Sequence, residues 1–215
     1  MTSKLIKTGL VLAAMLAAPF AANAADLRAP TYKAPAYVAP LAPSWTGFYV
    51  GLNAGYGFGD ANWSGVLDPS PTGFLVGGTI GYNLQTGSWV WGIEGDLAWS
   101  NMDDTVTGGG GSRTTELPWF GTARGRIGYA GWGSMMPYFT AGAALAGVDN
   151  TRNGVSVSDT MMGWTAGVGL EYMLWSNWSV KFEYLYADLG SSDGPAATTI
   201  DVTANIVRVG VNYRF

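Results

Sequence analysis

The chain has no cysteine and no histidine among its 215 residues. The first absence removes disulfides and thiol chemistry. The second removes common zinc sites and every mechanism in which serine or aspartate works through an imidazole. Charge is scarce too, at 12% of residues, too little for an ordinary solvated surface. After the first two dozen residues no apolar run is long enough to make a membrane helix. A membrane-spanning reading therefore requires a closed barrel of strands. Nucleic acid is an unsuitable partner, because the chain without its leader holds nine basic residues against 15 acidic ones, a formal charge of −6.

Glycine is abundant, with 32 residues, which disfavours helices. The N-terminus reads as an address. Lys4 and Lys7 precede the apolar run Gly9 to Ala18, and Ala22-Asn23-Ala24 forms a small-x-small cleavage site, so residues 1–24 are predicted to be a signal peptide. Residues 25–44 carry prolines at 30, 35, 40 and 43 and read as an extended linker. The folded domain is then expected over 45–215.

The final stretch sets the pattern for that domain. Val207, Val209, Val211, Tyr213 and Phe215 fall on one face of a strand, and Arg208, Gly210, Asn212 and Arg214 on the other. Seven earlier segments repeat it, opening with Phe48, Val50, Leu52, Ala54, Tyr56 and Phe58 against Tyr49, Asn53 and glycines. The fourth segment places Leu117, Trp119, Ala123, Ile127 and Tyr129 outward. In the fifth, Phe139, Ala141, Ala143 and Leu145 alternate with the scarcely more polar Tyr138, Thr140, Gly142 and Ala144, so its facing is open to reversal.

Alternation alone does not say which face meets lipid. The polar face is mostly glycine, threonine and asparagine, which suits a cramped lumen, and aromatics gather towards strand ends as in an interfacial girdle. Connections alternate in length: Gly59 to Thr72, Asn101 to Glu116, Asp149 to Asp159 and Asp188 to Thr199 are long, while Gln85 to Ser88, Gly131 to Met135 and Leu174 to Asn177 are short. The fold class expected is all-β: an eight-stranded antiparallel transmembrane β-barrel with long extracellular loops and short periplasmic turns, located in the outer membrane. A periplasmic lipocalin-like barrel or a β-sandwich is the competing reading.

The inward faces carry Glu94, Asp96, Glu171 and Glu183 against Arg124, Arg126, Lys181 and Arg208, a neutral set. Folding each hairpin about its connection predicts the pairs Glu94 with Arg124, Glu171 with Lys181, and Glu183 with Arg208. With Tyr49 they are expected to block the bore, since eight strands enclose only enough space for side chains. The long connections hold Asp60, Asp68, Asp103, Asp104, Glu116, Asp149, Asp159, Asp188, Asp193 and Asp201 against Arg113 and Arg152. Asp103 and Asp104 invite reading as an acid-base pair, but adjacent residues on a loop rarely hold such geometry, and no catalytic, cofactor or metal site is assigned.

A closing Tyr213-x-Phe215 resembles the assembly signal of bacterial outer-membrane barrels. Trp45-Thr46-Gly47-Phe48-Tyr49-Val50-Gly51, Gly81-Tyr82-Asn83, Gly128-Tyr129, Gly169-Leu170-Glu171-Tyr172 and the run Val209 to Phe215 together resemble the outer-membrane immunogenic protein family of alpha-proteobacteria. The resemblance implies outer-membrane lipid, lipopolysaccharide and the barrel assembly machinery as partners, and a structural role in the envelope. A small pore and a barrel-type enzyme are the rival functions. The resemblance also implies that a mature start at Ala25-Asp26 is joined covalently to peptidoglycan. The linker, at about 3.1 Å per residue, reaches roughly 60 Å. A leader simply left after processing is the alternative.

Overall fold

The computed structural model describes residues 44–62, 68–108, 111–194 and 198–215, without the side chains of 192–199. The signal peptide, Ala25, Asp26 and nearly all of the linker lie outside the described residues, as does the side chain of Asp193. Eight strands are present: β1 (Gly47–Asn62), β2 (Thr72–Thr86), β3 (Trp89–Gly108), β4 (Gly111–Tyr129), β5 (Met135–Arg152), β6 (Val155–Met173), β7 (Trp178–Gly194) and β8 (Thr198–Arg214). Each pairs antiparallel with the next, and β8 returns to β1 to close the barrel.

Period-two alternation decides the two faces. Phe48, Leu52, Ile80, Ile93, Phe139 and Phe182 stand exposed around the outside, whereas Tyr49, Asn53, Thr79, Asn83, Thr140 and Asn212 are buried inside. Such an outward apolar surface suits hydrocarbon rather than water. On β5 the facing is settled: Phe139 and Leu145 point out, and Tyr138, Thr140 and Ala144 point in.

Two expectations are corrected. Three of the four long connections are largely strand. β3 and β4 continue to Gly108 and Gly111, and β5 and β6 are joined by Asn153-Gly154 alone, with φ of 50° and 82°. Both φ values are positive, as a tight hairpin turn with the twist of its strands requires. Strands of 15 to 20 residues exceed the roughly 9–11 that cross a bilayer. The wall therefore continues well beyond the lipid at the hairpin end.

Leu117 is the second correction, being 2% exposed and directed inward with Phe120. The register shifts between Trp99 and Met102 on β3 and between Glu116 and Trp119 on β4; β3 keeps its alternation through the shift, whereas on β4 the facing reverses, from Thr115 and Leu117 inward to Phe120, Thr122 and Arg124 inward. Pro118, which has no amide hydrogen to donate to a ladder, sits at that irregularity.

The interior is layered. Towards the hairpin end an apolar core includes Leu75, Met102, Leu117, Phe120, Leu189 and Ile200. At the turn end Trp45, Val90, Met136, Tyr138 and Met173 form a second apolar group. The charged residues lie between them. Tyr49 and Tyr138 can lie across their neighbours because the opposing positions, Gly81 and Gly169, have no side chain; a Cβ there would fall 2.3 Å from either ring.

Candidate functional site: the charged interior

Strand register brings all eight inward charges to one level of the bore. Glu94 stands opposite Arg124, Glu171 opposite Lys181 and Glu183 opposite Arg208. Two of those neighbours are in contact: Arg124 Nη2 donates to Glu94 Oε1 at 2.5 Å, and Arg208 Nε donates to Glu183 Oε2 at 2.5 Å. The expected Glu171–Lys181 pair is not made. Lys181 instead reaches across the bore, donating to both oxygens of Glu94 at 3.0 and 2.9 Å. Glu171 accepts from Arg126 Nη2 at 2.6 Å, Ser179 Oγ at 2.5 Å and Asn212 Nδ2 at 3.0 Å. In so narrow a barrel the far wall is as near as the adjacent strand, and cross-strand neighbourhood does not choose the partner.

Arg124 joins three carboxylates, adding Asp96 at 2.8 Å and Glu183 at 3.1 Å to Glu94. Arg208 holds Asp96 with two nitrogens, at 2.8 and 3.0 Å, the forked geometry in which guanidinium and carboxylate match best. Arg126 lies over the Tyr138 ring, 4.1 Å from its centre. Tyr49 donates its hydroxyl to Glu94 at 2.7 Å, Tyr138 to Glu183 at 2.9 Å and Thr122 to Asp96 at 2.6 Å.

Tyr138, Thr122, Ser179 and Asn212 were absent from the sequence-based charge set, although Thr122, Ser179 and Asn212 each stand on the same inward row as a member of it; Tyr138 comes from β5, which carries none of the eight charges. All eight carboxylate oxygens are engaged by a cation or a hydroxyl or amide donor. Such saturation fits a fixed strut. Proton transfer needs a carboxylate poised to gain or lose its partner. Asp103 and Asp104, successive residues of β3, point to opposite faces, and Asp104 Oδ2 accepts from the amide of Ser70 at 2.8 Å. They do not form an acid-base pair.

At the turn end Tyr213 packs edge-on between Trp178 and Phe215, with ring centres 5.1 and 5.2 Å away. The Phe215 amide donates to Phe48 O at 3.0 Å, and that of Arg214 to Asn177 O at 2.7 Å. The last residues thus tie β8 to both its neighbours.

The model of the family described as "Outer membrane protein beta-barrel domain" matches residues 8–215. The chain belongs to that family. It is 36% identical to the 31 kDa outer-membrane immunogenic protein of Brucella melitensis, over 95% of this chain and 99% of that one. To the 25 kDa outer-membrane immunogenic protein of Brucella abortus it is 35% identical, over 96% of each. Neisserial surface protein A has the same fold, with a TM-score of 0.54 at 19% identity over 79% of this chain and 98% of that one. The family is one of the outer membrane, and the apolar outer belt is the surface that meets its lipid.

Proposed function

We propose that this protein is a structural barrel of the outer membrane that conducts no solute, catalyses no reaction and contributes to the integrity and outer surface of the envelope. The observation carrying this reading is the filled bore: a neutral charge network, every carboxylate oxygen of which is engaged, set between two apolar layers. Opening a water path would separate ion pairs inside a low-dielectric space, at a cost of several kcal/mol each. By the usual arrangement of such barrels, the long hairpins face outward and the short turns face the periplasm. The acidic hairpin end would then meet lipopolysaccharide, with divalent cations bridging carboxylates and phosphates. Tyr213 and Phe215 would serve as the signal read by the assembly machinery.

The purified, folded protein in planar bilayers should give no stable conductance, and it should hydrolyse or transfer no acyl group from lipid or peptide substrates. Large, voltage-tolerant channels would favour the pore reading instead. Attachment of Ala25-Asp26 to peptidoglycan is part of the same proposal. Sacculi digested with muramidase and trypsin should yield the Ala25 to Arg28 peptide joined to a muropeptide. Recovery of that peptide only with a free amino group would end it.

A further inference from the structure

The turn end of the bore is capped by a residue that belongs to no strand. Gly47, with φ of 141°, holds a bend that other residues rarely adopt, and just before it Trp45 enters the mouth fully buried. There it joins Val90 of β3, Met136 and Tyr138 of β5 and Met173 of β6, strands none of which pairs with β1. Its amide donates to Gln85 Oε1 at 2.8 Å, the Gln85 amide donates to Thr46 Oγ1 at 2.9 Å, and the Arg214 guanidinium lies 5.5 Å from the indole centre. The cap is held from β2 and β8 and spans to the far side of the ring.

Four buried side-chain atoms at this end have no partner among the described residues: Trp45 Nε1, Asn83 Oδ1, Arg126 Nε and Asn212 Oδ1. Each of these residues is at most 5% exposed. Asn83 stands opposite Gly47 and Gly92, and Gly92 stands opposite Arg126. A Cβ on Gly92 would collide with both Asn83 Oδ1 and Arg126 Cγ, so the two side chains lie together over that glycine. Asn212 Oδ1 lies over Gly51 in the same way, while its Nδ2 donates to Glu171, the carboxylate that also accepts from Arg126. Arg126 in turn lies on the Tyr138 ring, in the apolar group that Trp45 completes.

Two of the four atoms are donors and two are acceptors. Buried groups of this kind are costly to leave unpaired. A bound anion would meet two amide oxygens, and a bound cation would meet a guanidinium and an indole N–H. Water both accepts and donates, and an internal water makes about three hydrogen bonds to groups that lack other partners.

We propose that the turn end of the bore holds a small cluster of bound water sealed in by Trp45, which accepts from Arg126 Nε and Trp45 Nε1 and donates to Asn83 Oδ1 and Asn212 Oδ1. The chamber is a dead end, since an apolar core fills the bore beyond the charge layer. It hydrates one side of Arg126 without opening a path through the barrel.

The test uses the full chain, isotopically labelled and folded in detergent micelles. Magnetisation transfer from water to the Trp45 Nε1 and Arg126 Nε protons is measured in the laboratory and rotating frames, where opposite signs mark water held for longer than the barrel takes to tumble. Both protons should show opposite signs in the unaltered chain. Trp45→Ala should shorten the residence of water at Arg126 by about tenfold or more, because the cap is gone. Trp45→Phe keeps an aromatic cap without the indole donor, and should leave the Arg126 signal close to unchanged. Heat-shifted gel mobility shows which variants are folded; should Trp45→Ala fail to fold, the unaltered chain and Trp45→Phe decide. Raising sodium chloride, or exchanging it for sodium bromide, should leave both N–H frequencies in place. Equal signs or no transfer at both protons, a bromide- or salt-dependent shift, loss of the Arg126 signal in Trp45→Phe, or an unchanged residence in folded Trp45→Ala would each overturn the proposal.

Discussion

Replacing Glu94 with Gln while Lys181 remains should leave an uncompensated ammonium in the middle of the barrel. Lys181 is fully buried, and Glu94 is the one carboxylate within ion-pair distance of it among the described residues. Glu94 accepts from Arg124, from Lys181 with both oxygens, and from Tyr49. An amide offers a single accepting oxygen and turns a donor towards one of those donors. Breaking a buried pair from one side costs about 3–5 kcal/mol, a large part of a typical stability of about 5–15 kcal/mol. Lys181→Met should cost less, about 1–3 kcal/mol, because Glu94 keeps Arg124 and Arg126. The double variant retains Asp96, Glu171 and Glu183 against Arg124, Arg126 and Arg208, so the network is neutral again. It should be more stable than Glu94→Gln alone, with a coupling of about 2 kcal/mol or more. Reversible guanidinium unfolding in micelles, followed by tryptophan fluorescence and checked by the heat-shifted mobility of the folded barrel on gels, measures all four corners. Additivity within about 0.5 kcal/mol would refute the argument, as would a loss in Glu94→Gln no larger than that of the exposed control Glu116→Gln.

Leu117→Ala should cost about 2–5 kcal/mol, because it opens a cavity in the inner core, whereas Leu97→Ala, at an outward position, should cost clearly less; equal losses would mean that the bulge does not turn Leu117 inward. Gly81→Ala should destabilise the barrel by about 1–3 kcal/mol through collision with the Tyr49 ring. Gly78→Ala, whose new methyl meets only Gly51 O at 3.8 Å, should be close to neutral in the same unfolding experiment. Leu52→Arg places a charge on the lipid face midway between the aromatic rings of Phe48 and Tyr56, and should lower folding stability in bilayers by about 2–4 kcal/mol; no loss would question the outward belt.

Strand number, facing and the existence of an inner charge layer were readable because one rule, a side-chain period of two, governs all of them. The same rule fails wherever a residue is inserted. Asn101 to Trp119 contains the irregularity that turns Leu117 inward, and nothing in its local composition except Pro118 marks the place. The extended hairpins were missed for another reason. From Asp103 to Gly108 and Gly111 to Glu116 both faces are mostly polar or glycine, with Val106 alone apolar, so no apolar stripe reveals the strand, although Asn153-Gly154 carried a hairpin signal in plain sight.

The layering of the interior is legible along the whole length of β8. Ile200, Val202, Ala204 and Ile206 occupy the same inward row as Arg208, Gly210 and Asn212, and the row changes from apolar to polar between 206 and 208. The alternation evident from Val207 to Phe215 covers only the polar half of the strand, and the half from Ile200 to Ile206 is the one that identifies a packed core. The partner of Lys181, by contrast, was beyond any reading of neighbours along the sheet. Ser179 from the adjacent β7 and Asn212 from β8 beyond it donate to Glu171, and Arg126 takes its other oxygen, which leaves Lys181 to reach Glu94 across the bore. Pairing inside a narrow barrel is a property of the whole ring, and for that reason neutralising one charge is expected to disturb residues on several strands at once.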